Sequence, residues 1–356
     1  MDSVIFNVLS QFQIDGNVTY CEPYGEGHIN QTKLVITDKK KRYIFQKVSE
    51  ALTPDIEGLM YNISSVTEHL AKKNDDYRSS MHLVKTFEGK NWFKDESGYY
   101  RIYEFVEGTI CLQAAETPSD FYESAVGFGK FQSQLADFKA ENLVEVIKDF
   151  HNTVDRYRKF KEVLKKDPLG RAKNVQAELD FVFSKEEEMS KLQKMRERGI
   201  LPVRVTHNDT KINNLLLDEK TRKAVCVIDL DTVMPGLSSY DFGDSIRFGA
   251  ATAKEDELNL DKMTMDLSLY EIYAKGFVGE LSGLSKEEIM SFPLGAKTMT
   301  MECGVRFLTD YLDGDHYFAI HREGHNLDRA RTQFKLVRDM DLKWGEMNSI
   351  IEKFVK

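Results

Sequence analysis

The sequence predicts an α+β protein of two lobes, a small β-rich one over about residues 1–106 and a larger helical one over residues 107–356. Three observations carry that prediction. The first hundred residues hold short runs of β-branched and aromatic residues separated by polar turns. From about residue 120 onwards, apolar residues recur every three or four positions, the period of a helix face. A single apolar, Asp-rich block, residues 203–248, interrupts those helices. A chain of 356 residues, 41% hydrophobic and 30% charged, has the length for two such units and is not a disordered composition.

The elements follow in order. The turn Tyr24-Gly25-Glu26-Gly27-His28-Ile29-Asn30 leads into a strand at 32–37, and the charged turn 38–42 leads into a second at 43–48, an antiparallel hairpin. Pro54 opens a helix whose buried stripe is Leu59, Ile63, Val66 and Leu70. A second hairpin is expected between 82–87 and 99–106. After Glu107-Gly108 the pattern turns helical, and the charge run around Lys185 to Glu188 reads as a solvated helix face. Helices resume after residue 248, broken by a polar loop around 313–326. The lobe boundary is expected near 106–109.

Charge and composition narrow the function. The net charge of −9, from 49 basic and 58 acidic side chains, repels a phosphate backbone, so no nucleic-acid partner is expected. No run approaches the ~18 apolar residues of a membrane span, and Met1-Asp2-Ser3 starts nothing like a signal peptide. The expectation is a cytoplasmic protein with no membrane partner. Cys21, Cys111, Cys226 and Cys303 are far apart and form no CxxC, so they read as four buried, reduced thiols.

The informative block runs Thr206-His207-Asn208-Asp209-Thr210-Lys211-Ile212-Asn213-Asn214 and then, after a polar turn, Val227-Ile228-Asp229-Leu230-Asp231. Two apolar strands, 214–217 and 224–228, flank the turn and form a hairpin, which brings Asp209, Asn214 and Asp229 into one small volume. Phosphoryl transfer from ATP needs this set. One carboxylate orients the attacking hydroxyl and accepts its proton. A second carboxylate and an amide oxygen hold the magnesium that bridges the phosphates. In the protein-kinase pattern the base and the amide ligand share one loop, five residues apart, and the metal Asp ends a later strand. Asp209, Asn214 and Asp229 repeat that spacing.

His207-x-Asp209-x-x-x-x-Asn214 followed by Ile228-Asp229 resembles the aminoglycoside phosphotransferase and choline kinase family, small-molecule relatives of protein kinases. The fuller string through Asp231-Thr232-Val233-Met234-Pro235-Gly236, with Tyr240-Asp241-Phe242-Gly243-Asp244 and Asn326-Leu327-Asp328-Arg329-Ala330-Arg331, is similar to the bacterial N-acetylhexosamine 1-kinases. That resemblance implies a protein-kinase-like two-lobed fold, ATP and Mg2+ as cofactors, and a small-molecule sugar as substrate, phosphorylated on its anomeric hydroxyl. By position it implies Asp209 as catalytic base, in contact with the substrate hydroxyl, and Asn214 and Asp229 as metal ligands. The broader family usually has Gly where Asn208 stands; Asn belongs to the N-acetylhexosamine subgroup.

Asp241-Phe242-Gly243 spells the metal tripeptide of protein kinases but opens a helical run rather than ending a strand. Asp241 is therefore expected to cap that helix and brace the catalytic loop. Asp231 faces the same side as Asp229 and is a candidate substrate or supporting carboxylate, or else a turn former. For the nucleotide, Gly25 and Gly27 offer backbone approach to phosphate. Lys47 is the cationic candidate, with Glu57 or Glu68 as partner, unless strand parity places Gln46 there instead. The backbone at Glu104 and Val106 is the expected adenine contact. Arg306 and Tyr317 are candidate sugar ligands, against the plainer reading of a surface arginine and a packing tyrosine. His316, His321, Glu323 and His325 complete no conventional zinc set and read as a polar loop.

Overall fold

A computed structural model describes residues 3–25, 30–50 and 54–355. Helix α1 (Ser3–Leu9) precedes the strands β1 (Val18–Pro23), β2 (Gln31–Thr37) and β3 (Arg42–Val48). Helix α2 (Ile56–Ala71) follows, and then β4 (Phe93–Asp95) and β5 (Gly98–Glu104) complete an antiparallel sheet in the order β1-β2-β3-β5-β4. Successive strand residues point to opposite faces, and the two faces have separate cores. Val35, Tyr43, Phe45, Tyr100 and Ile102 pack outward against Val8, Leu9 and Phe12. Val48 and Tyr103 pack inward against the α2 stripe of Leu59, Ile63, Val66 and Leu70. Asp55 caps α2 by accepting a hydrogen bond from Gly58 N.

The second hairpin differs from the expectation. The partner of β5 is β4, closed through a tight turn in which Asp95 accepts bonds from Ser97 N and Oγ. Residues 82–84 lie further along the same edge of β5, joined by Val84 N to Ile102 O and Glu104 N to His82 O. A local Asx turn closes a hairpin with far less chain to order than the ten-residue loop 89–98 would need.

The chain crosses to the second lobe between β5 and β6 (Thr109–Cys111), which already pairs with a strand of that lobe, β8 (Leu215–Asp218). Helices α3 (Pro118–Gln134), α4 (Thr153–Lys166), α5 (Gln176–Met189) and α6 (Lys191–Glu197) come next. Then β7 (Arg204–Thr206), β8, β9 (Ala224–Val227) and β10 (Met234–Gly236) form two short ladders, β6-β8-β9 and β10-β7. The helices α7 (Ser238–Gly249), α8 (Leu267–Glu280), α9 (Lys286–Met290), α10 (Phe292–Asp313), α11 (His325–Leu342) and α12 (Trp344–Glu352) complete the lobe. Among the described residues, no helix is long and apolar enough to cross a membrane. The four cysteines are free thiols, but burial holds only for Cys226: Cys21 and Cys303 are half-buried and Cys111, on the short strand β6, is exposed.

This arrangement clamps the catalytic segment. Residues 207–214 leave β7 and enter β8, and residues 228–233 leave β9 and enter β10, so a ladder holds both ends of each loop. The lobes share one core, because the α2 stripe also touches Phe131, Leu135, Val205, Leu230, Val233 and Met234. Buried Asn62 of α2 pins that joint: its Nδ2 donates to Val144 O at 2.8 Å and Val233 O at 3.1 Å, and its Oδ1 accepts from Val144 N at 2.9 Å. Asn62→Leu leaves these backbone groups unpaired in an apolar joint and is expected to cost on the order of 2–4 kcal/mol in urea unfolding; a loss below 0.5 kcal/mol would remove Asn62 from this role.

Candidate active site

The catalytic loop is held mainly by buried side chains that grip its backbone. The fully buried Asp241 carboxylate accepts from His207 N at 2.9 Å and Asn208 N at 2.7 Å, and from Gln132 Nε2 at 2.6 Å. Asp244 accepts from Thr210 N, and Thr210 Oγ1 donates to Asp241 O. Asp241 lies in the first turn of α7, whose N-cap is Leu237, so it braces the loop without capping the helix. The rest of the tripeptide is structural: Phe242 is core, and at Gly243 a Cβ would sit 2.3 Å from the carbonyl oxygen of Gly295, so α7 and α10 approach too closely for any side chain there.

Asn208 has φ +66°, in the left-handed region where Gly is the default and Asn the best-tolerated alternative. Its side chain also earns the position, donating from Nδ2 to Thr232 O at 2.8 Å and accepting from Thr206 Oγ1 at 2.9 Å. It thereby ties the 207–214 loop to the 228–233 loop. Thr232 Oγ1 returns a bond to His207 O at 2.7 Å. The His207 ring accepts from Asp209 N on Nδ1 and donates from Nε2 to Ile228 O at 2.9 Å, an assignment that fixes the Nε2–H tautomer.

Asp209 faces outward from this frame. Asn214 Nδ2 donates to its Oδ2 at 2.9 Å and to its carbonyl at 2.8 Å, and Lys211 Nζ stands 3.2 Å from Oδ1. Burial pulls the Lys211 ammonium down, but Asp209 and Asp244 outweigh it and leave the group raised. With both amide hydrogens of Asn214 spent on Asp209, its Oδ1 is the atom left to act as a ligand. Asp229 follows β9 with φ +58°, a second non-Gly residue held in the left-handed region, and its side chain caps no backbone N–H. Burial, then Asp231 and Asp209, push its carboxyl up to about 6 against the attraction of Arg101.

The structure thus brings Asp209, Asn214, Asp229 and Asp231 together. Asn214 and Asp229 offer hard oxygen donors beside a concentration of negative charge, which fits a magnesium ion. Among the described residues no three His, Cys, Asp or Glu side chains converge into a self-contained metal site. Asp231 is engaged from the sheet: Asn30 Nδ2 donates to its Oδ2 at 2.7 Å, and Arg101 Nη2 lies 2.6 Å from its Oδ1.

The nucleotide candidates fall in different places. Gly25 lies between β1 and β2 with φ +78° and open space around it, while Gly27 lies outside the described residues. Parity places Lys47 on the outer face of the sheet, 6.0 Å over the Tyr100 ring, so the structure does not bring it to the carboxylates. Gln46 points inward instead and accepts from Arg101 Nε at 2.9 Å. At the crossing between lobes, Glu104 N is taken by His82 O and Val106 O by Thr109 Oγ1, and Val106 N–H bonds to none of the described residues.

Arg306 and Tyr317 meet each other rather than the loop, with the guanidinium 5.7 Å from the Tyr317 ring and 5.3 Å from that of Phe318. Asp310 organises that turn by accepting from His316 N, Tyr317 N and Phe318 N. In the same loop His325 Nε2 pairs with Asp256 at 3.1 Å. The nearer link from α10 is Glu302, which sequence reasoning missed as a structural link: Oε1 pairs with His151 Nδ1 at 2.9 Å, and His151 Nε2 reaches Asn208 O at 3.0 Å. Arg101, Lys211 and His151 were also passed over; Lys211 carried a usable signal, lying two residues after Asp209.

A β-rich lobe over a helical lobe, with Asp209, Asn214 and Asp229 on clamped loops between them, is the arrangement of the protein-kinase-like phosphotransferases. The family model described as the phosphotransferase enzyme family matches residues 21–274, and the chain belongs to that family. Solved structures share the fold at low identity. An aminoglycoside phosphotransferase from Alicyclobacillus acidocaldarius is 13% identical, with TM-score 0.66, covering 98% of this chain and 96% of that one. A choline kinase from Cryptosporidium parvum is 13% identical, with TM-score 0.58 and coverage of 98% and 97%. An amicoumacin kinase in complex with AMP-PNP, Ca2+ and Ami is 12% identical, with TM-score 0.58 and coverage of 96% and 93%.

The Asp229 carboxyl gives a pH-dependent prediction. Its folded value lies above the unfolded one, so the ionised group destabilises the protein above about pH 6, and that cost fades as pH falls and the group takes up its proton. Without divalent metal, Asp229→Asn is expected to be more stable than the parent by ~1–3 kcal/mol at pH 8. The advantage should begin to shrink as pH falls below about 6 and vanish only near pH 4, where the unfolded carboxyl also takes up its proton. Urea titrations at both pH values check it, and equal stability at pH 8 would contradict the raised value.

Proposed function

We propose that this protein is an ATP- and magnesium-dependent small-molecule kinase whose acceptor is the anomeric C1 hydroxyl of N-acetylglucosamine or N-acetylgalactosamine. The observation that carries the reading is the Asp209 carboxylate fixed by Asn214 beside Asp229, with Asn208 bridging the two loops. At 29% exposure, the Asp209 side chain keeps an open edge to meet a hydroxyl. It orients that hydroxyl in line with the γ-phosphate. The hydroxyl oxygen bonds to phosphorus, the bond to the bridging oxygen of ADP breaks, and the proton passes to Asp209. A magnesium ion on Asn214 and Asp229 neutralises phosphate charge when bound.

The sugar follows from the resemblance of residues 206–236 to N-acetylhexosamine 1-kinases. Lys211, beside the base, disfavours a quaternary ammonium acceptor and supports a neutral polyol. The nucleotide and divalent-ion reading is supported by the AMP-PNP and Ca2+ in the amicoumacin kinase complex. Kinases named for aminoglycosides and choline share the fold, which keeps a different alcohol as the second reading.

Phosphorus NMR of products from Mg-ATP with N-acetylglucosamine, N-acetylgalactosamine, glucose, galactose and choline in separate tubes tests this. A signal split by an anomeric proton, from N-acetylated sugars alone, is expected; product from choline or phosphate on C6 would overturn the acceptor. Asp209→Asn is expected to bind ATP normally yet lose turnover by about 10^3-fold or more. Asp229→Ala should instead weaken Mg-ATP binding, and full activity in either variant would sink the assignment.

A further inference from the structure

Arg101 is among the largest fully buried side chains, 1% exposed, on the inner face of β5. Its Nε donates to Gln46 Oε1, its Nη2 faces Asp231 Oδ1, and its Nη1 is buried without a hydrogen-bond partner. The 2.6 Å contact to Asp231 is an ion pair, and it leaves Nη1 unused. A guanidinium has five N–H groups, and an orphan buried donor is costly.

Its place in the sheet is equally specific. Gln46 stands directly opposite on β3, and Thr32 opposite Gln46 on β2, with Gln46 Nε2 donating to Thr32 Oγ1 at 3.1 Å. This polar row crosses the middle of the inner face. Lys47 points the other way, and Arg42, which shares the inner face, is committed to Glu107 and lies 4.0 Å over the Phe105 ring. The mid-sheet cation facing the carboxylates therefore comes from β5. Asp231 belongs to the other lobe, two residues after Asp229, so the pair spans the cleft.

We propose that Arg101 receives the nucleotide phosphates from the sheet side, and that Asp231 is the anion phosphate replaces on it. The inference rests on the kinase reading above. A planar fork with a free N–H suits phosphate oxygens. Exchange of one anion for another leaves the buried guanidinium compensated throughout, which its burial requires. Gln46 holds Nε during the exchange, so the guanidinium swings about a fixed edge.

Calorimetry of the full chain in EDTA, titrated with ADP and separately with adenosine, tests it. Arg101→Met is expected to weaken ADP by about 10- to 100-fold while leaving adenosine unchanged, and Arg101→Lys to fall between. Asp231→Asn should tighten ADP by about 3- to 10-fold, because Arg101 is no longer held by a competing charge. A purely structural arginine would change both ligands alike, and that result, or weaker ADP binding by Asp231→Asn, overturns the proposal. If Arg101→Met fails to fold, Arg101→Lys and Asp231→Asn decide it on the same ratio. A parent protein that binds neither ligand in EDTA, and no ADP when magnesium is added, would overturn the kinase reading itself.

Discussion

Three carboxylates, Asp209, Asp229 and Asp231, crowd into one partly buried volume, and their mutual repulsion is the constraint on which the rest of the site depends. Burial first, and then the charges of Asp231 and Asp209, hold the Asp229 carboxyl above the usual carboxylate range. Around it stand the groups that offset the repulsion: Lys211 beside Asp209, and Arg101 with Asn30 on Asp231. A like-charge cluster persists in a fold only when the surrounding structure over-determines it. Here the two clamped loops do so, with Asn208 and Asp229 held at positive φ and Asp241 gripping two successive backbone N–H groups.

The division of labour between the two Asp-bearing motifs follows from that constraint. Asp229 sits at a strand end, keeps its carboxylate uncommitted to the backbone and repels its neighbours. Asp241 is fully buried, and three N–H donors answer its charge, two from the backbone and one from Gln132. A carboxylate so satisfied keeps about one of its four acceptor sites, and a metal bound there would compete with the bonds that hold the loop. The tripeptide spelling therefore misleads, while the hydrogen-bond geometry separates the two roles without reference to any relative.

What the sequence made legible was local. Asp209, Asn214 and Asp229 were readable because a hairpin converts fixed spacing into proximity. The inner stripe of α2 was readable because periodicity converts directly into burial. The β4 strand was not, since three residues carry no periodicity, and the Asx turn at Asp95 closes the hairpin from inside what looked like a loop. Arg101 was illegible for a different reason. Its meaning depends on the β3-β5 register, and a one-residue change in parity exchanges Gln46 for Lys47 on the inner face. The contribution of α10 was least legible, because Glu302 acts through His151, 151 residues earlier in the chain.

The family match covers residues 21–274 and so ends inside α8, before α10 with Glu302 and Arg306 and before Tyr317. Phosphoryl transfer fixes positions to fractions of an ångström around the base and the metal, and it asks the same of every acceptor. Acceptor binding asks only for a complementary wall, which many sequences can build. The matched segment accordingly holds the clamped loops, and α10 carries a side-chain set of its own. The two are nevertheless coupled. Glu302 orients His151, and His151 holds the carbonyl of Asn208, the residue immediately before Asp209. A shift of α10 would therefore be transmitted through His151 to the backbone that carries Asp209, so the helix and the 207–214 loop are mechanically one unit.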